Sequence, residues 1–449
     1  MFPADADRPS QDEWLSSVEL PPVASMRTIL DALWRIPRHI ISDGYDIALE
    51  ALSNQVPITI HEYPTGTECW TWSIPEKWVC RDAWLETLDG HRLFSLADHP
   101  LRVVSYSLPF DGTVSREELL RHLHVHPKLP SAIPYAFKLY ERDWGLCCSQ
   151  EERDQLNDAE YRVRIDSEFV DGSLKVGEVV LPGVSQDCIV LVAHLCHPSM
   201  ANDDMAGVVV AVEVMRQLMQ RQGLHYTYRL LIVPETIGTI AYLSHHESLI
   251  PSMKGGLFLE MVGLDNPAHL QHSYKSDSEI DRCFELALRD LDDAALVGAF
   301  RMVIGNDERQ FNAPGVRVPM LSLSRVLPRN DPDWPYAEYH SSMDDATLVS
   351  DQRLDQTVAI TLGMIAALEE NRIVRNRFKG EIFMSRFGLH RDFYKDPQAH
   401  KALFDVMFEI DGTKSIAGIA ERCGLPLWEV RAIVEDLSRQ DLVELVERV

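Results

Sequence analysis

Basic charge is what this chain has least of: 43 Lys plus Arg stand against 69 Asp plus Glu, a formal net charge of −26. Attraction to nucleic acid or to an anionic membrane surface needs the opposite sign, so neither is an expected partner. Long apolar runs are also missing. The longest candidates, Cys188–Val192 and Val208–Val212, are strand-sized or broken by polar residues, well short of the roughly 20 residues that span a bilayer. The first residues, MFPADADRPSQDEW, are acidic and lead into no apolar stretch, so neither a secretory leader nor a transit peptide is expected. Eight cysteines lie scattered without paired zinc-knuckle spacing, which fits reduced thiols and a cytoplasmic protein.

What is present is the composition of a folded chain, 45% hydrophobic and 25% charged. Its 449 residues are long enough for about three domains. From Ser25 to Leu52 apolar residues recur at helical spacing, interrupted at Ile36-Pro37 and Gly44, which predicts two short helices. Between residues 57 and 140 short alternating runs such as ITIHEY, CWTWSI and LRVVSYSLPF are separated by Gly, Pro and Asp, the pattern of an inserted antiparallel β domain. Trp70, Trp72, Trp78 and Trp84 fall inside it and are expected in its core.

From YRVRIDSEF onward, strands alternate with helices up to a long closing helix that begins at Leu354 and runs through NRIVRNRF. Near-continuous apolar strands interleaved with helices predict an α/β fold whose mostly parallel sheet is sandwiched by helices. The expected core is 1–56 plus 141–375. Residues 376–449 read as three helices and a small strand pair, a winged helix. Eleven acids face six Lys plus Arg between Asp396 and Val449, so a structural or protein-contact role is expected there rather than DNA binding.

In a sheet of this kind catalytic groups belong at the C-terminal ends of strands. The apolar run Cys188–Ala193 ends on His194, with His197 three residues on and the turn Asn202-Asp203-Asp204 before a helix. Taken alone this fits a zinc site or a helix cap equally well. Three further strand ends favour the metal: Glu235 after LLIV, Glu260 after GGLFL, and His340 in EYHSSMDD.

These segments resemble the co-catalytic zinc aminopeptidases of the bacterial leucyl aminopeptidase kind. The matches are Ala193-His194, Ala201 through Gly207, Glu235-Thr236-Ile237-Gly238, Glu260-Met261-Val262-Gly263, Tyr339-His340-Ser341, and Asn306-Asp307-Glu308 before Phe311. The whole length is also similar to a bacterial family that joins an aminopeptidase-like core, an inserted β domain and a winged helix. The strings His194-Leu195-Cys196-His197-Pro198, Tyr63-Pro64-Thr65-Gly66 and Ile133-Pro134-Tyr135 carry that second likeness.

The resemblance implies a zinc-dependent amide hydrolase holding one or two zinc ions. Asp203 would touch both, His194 one of them, and Glu260 with His340 the other; Glu235 would be the general base. Two departures stand out. Thr236 occupies the position of a second ligand carboxylate, and Cys196 that of an aspartate that positions the histidine. Either His197 supplies the missing ligand, or one zinc is held by Asp203, Glu260 and His340. Further expectations are Asp344 or Asp345 behind His340, Tyr339 as donor to an oxyanion, and Arg38 or Arg325 as either a substrate-carboxylate grip or a surface ion pair. A short peptide or aminoacyl compound is the expected substrate, homo-oligomers are left open, and a non-catalytic metal-binding scaffold is the alternative function.

Overall fold

The computed structural model describes residues 18–448. The N-terminal stretch read for a leader lies outside them. Among the described residues no helix is long and apolar enough to cross a membrane.

An eight-stranded sheet organises the chain. In chain order its strands are β1 Thr59–Pro64, β2 Ser173–Leu181, β3 Cys188–His194, β4 Thr227–Val233, β5 Met253–Leu259, β6 His269–Gln271, β7 Leu296–Gly298 and β8 Met320–Ser324. In space they run β1-β2-β4-β3-β5-β8-β6-β7. The central four, β4, β3, β5 and β8, are parallel to one another. Antiparallel β2 and β1 extend one edge; β6, antiparallel to β8, and β7 extend the other.

The seven residues of β3 are all buried because both faces of the sheet are covered. Their alternation sorts them into two cores. Ile189, Leu191 and Ala193 pack with helices α1 Met26–Leu33, α2 Asp43–Ser53, α3 Met205–Met219, α5 Glu279–Leu291 and α6 Asp351–Glu370. Cys188, Val190 and Val192 pack on the opposite face with α4 Ile237–His245. The expected mostly parallel α/β sheet is present.

The partition of the chain differs from expectation at three places. β1, read as part of the insertion, belongs to the central sheet and pairs with β2 over six residues. Glu160–Val170, read as a core strand, instead lies in a separate four-stranded antiparallel sheet between Lys77–Thr87 and Phe110–Ser115, with Arg92–Ser95 at its edge. Its burial alternates, as expected for a sheet with one face to solvent. The long closing helix stops at Glu370, and Arg372–Asn376 forms a strand paired with Val443–Arg448. That strand pair closes the winged helix, whose helices are α7 Pro397–Glu409, α8 Ile416–Cys423 and α9 Leu427–Arg439. The module therefore begins about four residues before the expected boundary at 376.

Of the four tryptophans, Trp78 and Trp84 are buried in the inserted module as expected, whereas Trp70 is 44% exposed. Trp72 packs instead against the central-sheet core.

Candidate metal centre

The expected site residues come together at the C-terminal edge of the sheet. His194 ends β3, Glu260 follows β5, Glu235 follows β4 by two residues, and His340 lies on the loop between β8 and α6. The turn carrying Asp203 is held by three neighbouring carboxylate and amide groups. Asp204 caps α3 by accepting the Gly207 N–H (3.0 Å), and also accepts the N–H of His194 (3.3 Å) and of Met261 (3.0 Å). One carboxylate thus ties the ends of β3 and β5 to the start of α3. Gly207 is required by this close approach, since a Cβ there would meet Asp204 and the Leu259 carbonyl at 2.4 Å. Asn202 accepts from Gly263 N–H (2.9 Å).

Around Asp203 two overlapping sets of ligand atoms form, each within 4.8 Å: His194, Asp203 and Glu260, and His197, Asp203 and His340. His194 Nε2 lies 3.2 Å from Asp203 Oδ1 and 3.6 Å from Glu260 Oε1. His197 Nδ1 is 3.4 Å from the same Oδ1, and His340 Nε2 is 3.2 Å from Oδ2. Asp203 is the shared member, as the resemblance implies. Glu260, however, groups with His194 and not with His340. His197, whose role was open, stands on the His340 side.

All five groups present buried atoms without a hydrogen-bond partner: His194 Nε2, His197 Nδ1, Asp203 Oδ2, Glu260 Oε2 and His340 Nε2. Buried polar atoms are seldom left so, and five converging at one point favour a further partner shared among them. Imidazole and carboxylate donors in this number fit a divalent metal ion.

The charges show what the cluster costs without a cation. Burial is the largest influence and pushes the His194 and His197 imidazoles down, but Asp203 and Cys196, joined by Glu260 at His194 and by Glu235 at His197, together outweigh it and hold both well above the usual range. Burial raises Asp203, yet His197, His194 and His340 bring it well below an ordinary carboxylate. Imidazole protons therefore carry the compensating charge, a role a metal would take over. Burial dominates at Glu260, whose carboxyl is pushed up.

Glu235 faces this cluster from the open side. Its side chain is 32% exposed and its Oε2 lies 3.1 Å from His197 Nε2. Burial would raise its pKa, but the His197 contact prevails and holds it down at about 2. The next residue, Thr236, adopts φ 63, a conformation that a β-branched side chain avoids. His197 (φ 94) and His340 (φ 52) share the positive range, a clustering of backbone strain common at functional sites. Thr236 N–H donates to Asp307 Oδ1 (2.9 Å), which also accepts the Thr239 hydroxyl (2.6 Å). Asp307 thus secures the turn after Glu235.

Several expected roles are reassigned. Asp344 does not brace His340: its carboxylate accepts from Asn202 N–H (2.7 Å), Asp203 N–H (3.1 Å) and Tyr336 OH (2.7 Å), fixing the Asp203 turn. Asp345 binds Thr347. Arg38 and Arg325 are 0% and 1% exposed, so neither grips a substrate nor forms a surface ion pair. Arg38 donates to the carbonyls of Leu33, Trp34, Ile36, Leu195 and Met200, while Arg325 serves Asn266, Gln356 and Thr357. The Tyr339 ring stacks on His340 at 3.8 Å between centroids. Cys196 does sit behind His194, its Sγ 3.9 Å from Nδ1, and it accepts the Glu235 N–H at 3.0 Å.

Two contributors stand in the matched motifs without a role that the motifs assign. Asn306 donates its amide to Glu260. Ile133-Pro134-Tyr135, from the inserted module, pairs with the His340 loop: Tyr135 N–H donates to the His340 carbonyl (2.7 Å), and Ser342 N–H to that of Ile133 (2.8 Å). The Tyr135 ring stands edge-on to His197 and His340 at 5.2 and 5.1 Å. The insertion is therefore a wall of the site. Its distance in sequence, more than 200 residues from His340, left no local signal.

A protein of Clostridium acetobutylicum, provisionally described as a polysaccharide biosynthesis protein with aminopeptidase-like domain, is 31% identical over 93% of this chain and 95% of its own length. A crystal structure from the same organism, provisionally described as a peptidase, superposes with a TM-score of 0.83 at 30% identity, covering 94% of this chain and 96% of that one. The zinc aminopeptidase of Bacillus subtilis, at 14% identity, shares the fold over 78% of this chain and 95% of its own, with a TM-score of 0.55. Residues 372–445 match a winged helix-turn-helix family. Residues 27–371 match the family described as Domain of unknown function (DUF4910), and it is to this family, here an aminopeptidase-like fold followed by a winged helix, that the chain belongs.

Proposed function

We propose that the chain is a zinc-dependent amide hydrolase of the aminopeptidase type. The observation that carries this is the set of five unpartnered ligand atoms converging on Asp203 beside a half-open carboxylate, Glu235. Zinc held by His194, His197, Asp203, Glu260 and His340 would supply the charge that polarises an acyl carbonyl and eases the ionisation of water. Glu235 takes the proton of the attacking water and passes it to the departing amine as the C–N bond breaks. His197 orients Glu235, and Cys196 anchors its backbone N–H. Tyr339, fixed by stacking on His340, donates to the developing oxyanion.

The substrate proposed is a short peptide or an aminoacyl-modified metabolite or sugar; the description of the Clostridium relative is the reason for including sugars. The eight cysteines are all free in the structure, in keeping with a reducing, cytoplasmic setting. Metal analysis and an aminoacyl-amide panel test the proposal with Glu235→Gln. The variant is expected to keep its zinc and lose about 10²–10⁴-fold in kcat. A metal-free protein, or hydrolysis untouched by the substitution, would overturn it. One observation favours a second reading: Thr236 removes a ligand carboxylate, so a metal-binding scaffold without turnover is its counterpart, recognised by zinc retention with no hydrolysis across the panel.

A further inference from the structure

A cavity of about 230 Å³ opens directly from Glu235 and His197 toward the inserted module. Trp72, Tyr106, Tyr135, Phe137 and Tyr140 line it. All five come from the chain between β1 and β2, outside the segments that form the metal centre. Phe137 is 55% exposed and Tyr140 74%, so both rings stand open to an incoming group at the mouth of the cavity. Phe137 and Tyr135 lie 5.7 Å apart, so the aromatic surface continues inward to His197.

Away from Glu235 and His197 the lining is dominated by aromatic and aliphatic side chains. The Arg38 guanidinium at its floor is occupied by five backbone carbonyls, and His39 is packed edge-on to Trp78 and Tyr106. Sites that enclose a whole ligand run to about 300–1,000 Å³, so this smaller space suits one ring-sized group. Aromatic walls favour a ring through stacked or edge-to-face contacts beyond simple burial.

We propose that this cavity is the leaving-group subsite, taking an aromatic group carried on the amine side of the scissile bond. This rests on the proposed role of Glu235: the carboxylate that returns a proton to the departing amine must lie beside it, and the cavity beginning at Glu235 receives what that amine bears. The inserted module is then the part of the chain that selects the leaving group.

Two measurements separate this from the hydrolase proposal. Binding of the amine alone needs no turnover: titration of the zinc-loaded protein with phenethylamine, followed by tryptophan fluorescence, is expected to saturate at least tenfold more tightly than with butylamine. Trp72→Ala and Phe137→Ala should each erase that preference; Phe137 is exposed enough that its loss leaves the fold intact. Equal binding of the two amines, or a preference untouched by Phe137→Ala, would overturn the subsite. In parallel, dipeptides differing only in Phe or Ala on the leaving side should show a kcat/KM preference for Phe that Phe137→Ala removes; equal values would likewise overturn it. If neither dipeptide is cleaved, the peptide-substrate form of the hydrolase proposal falls, and the amine titration still decides the cavity.

Discussion

Arg38 shows how much of this site is made by residues that never face it. Its guanidinium satisfies five carbonyl oxygens, two of which, Leu195 and Met200, belong to the loop that bears His197. Its own carbonyl accepts the His197 N–H at 2.9 Å. Burial lowers its pKa to about 10, which still leaves it charged at neutral pH. Replacing it with Met strands several buried acceptors, each at a cost of about 1–3 kcal/mol, so Arg38→Met should lose at least about 3 kcal/mol in urea unfolding. Arg38→Lys should recover little, because three donors on one nitrogen cannot match the guanidinium fork. Stability equal to the parent chain would show that water replaces these bonds. An arginine next to a proline in a sequence looks exposed, and nothing local reveals that five carbonyls converge on it.

Elements whose pattern is self-contained were legible, and those defined by a distant partner were not. β3, β4 and β5 announce themselves as apolar runs ending in His or Glu, so the strand-end origin of His194, Glu235 and Glu260 could be read directly. Glu160–Val170 could not be placed, since its membership in the second sheet depends on pairing with Lys77–Thr87 some eighty residues earlier. The same limit hid the pairing of Ile133-Pro134-Tyr135 with the His340 loop. A tie between elements that can be tested by pH lies away from the metal centre, where His272, just after β6, meets Glu285 on α5 at 2.8 Å. Glu285 raises the His272 pKa, and His272 with Arg289 lowers Glu285 to about 2. The histidine contribution is complete below its unfolded value of about 6.5 and is lost as pH rises through the raised folded value. The glutamate contribution is complete above about 4.5 and is lost as pH falls toward the lowered value. The urea midpoint of the parent chain should therefore exceed that of His272→Asn most between about pH 4.5 and 6.5, with the gap closing on both sides. A gap independent of pH would mean the pair acts by packing alone.

At the scale of the whole molecule, the winged helix is part of the core. One apolar cluster runs from β3 through α5 and α6 to Leu403, Ile419, Val430 and Ile433 of the winged helix. Polar contacts follow the same seam: Asn371 and Ser415 both donate to Glu279 (2.9 and 2.8 Å), and Arg282 donates to Glu421 (2.8 Å). In a helix-turn-helix the start of the recognition helix enters the major groove. Here the start of α9 faces the core instead, with Trp428 N–H donating to Asp290 (3.1 Å) and Arg431 paired with Glu370. Duplex DNA would have to displace these contacts and also approach Glu429, Glu435 and Asp436 on the same helix. Phosphate attraction is strongest at low salt, so the demanding test is a gel-shift titration with mixed-sequence duplex at about 50 mM salt, where even weak basic readers bind. No retardation is expected there. Retardation that weakens as salt rises would show that α9 leaves the core and that the winged helix is a reader after all.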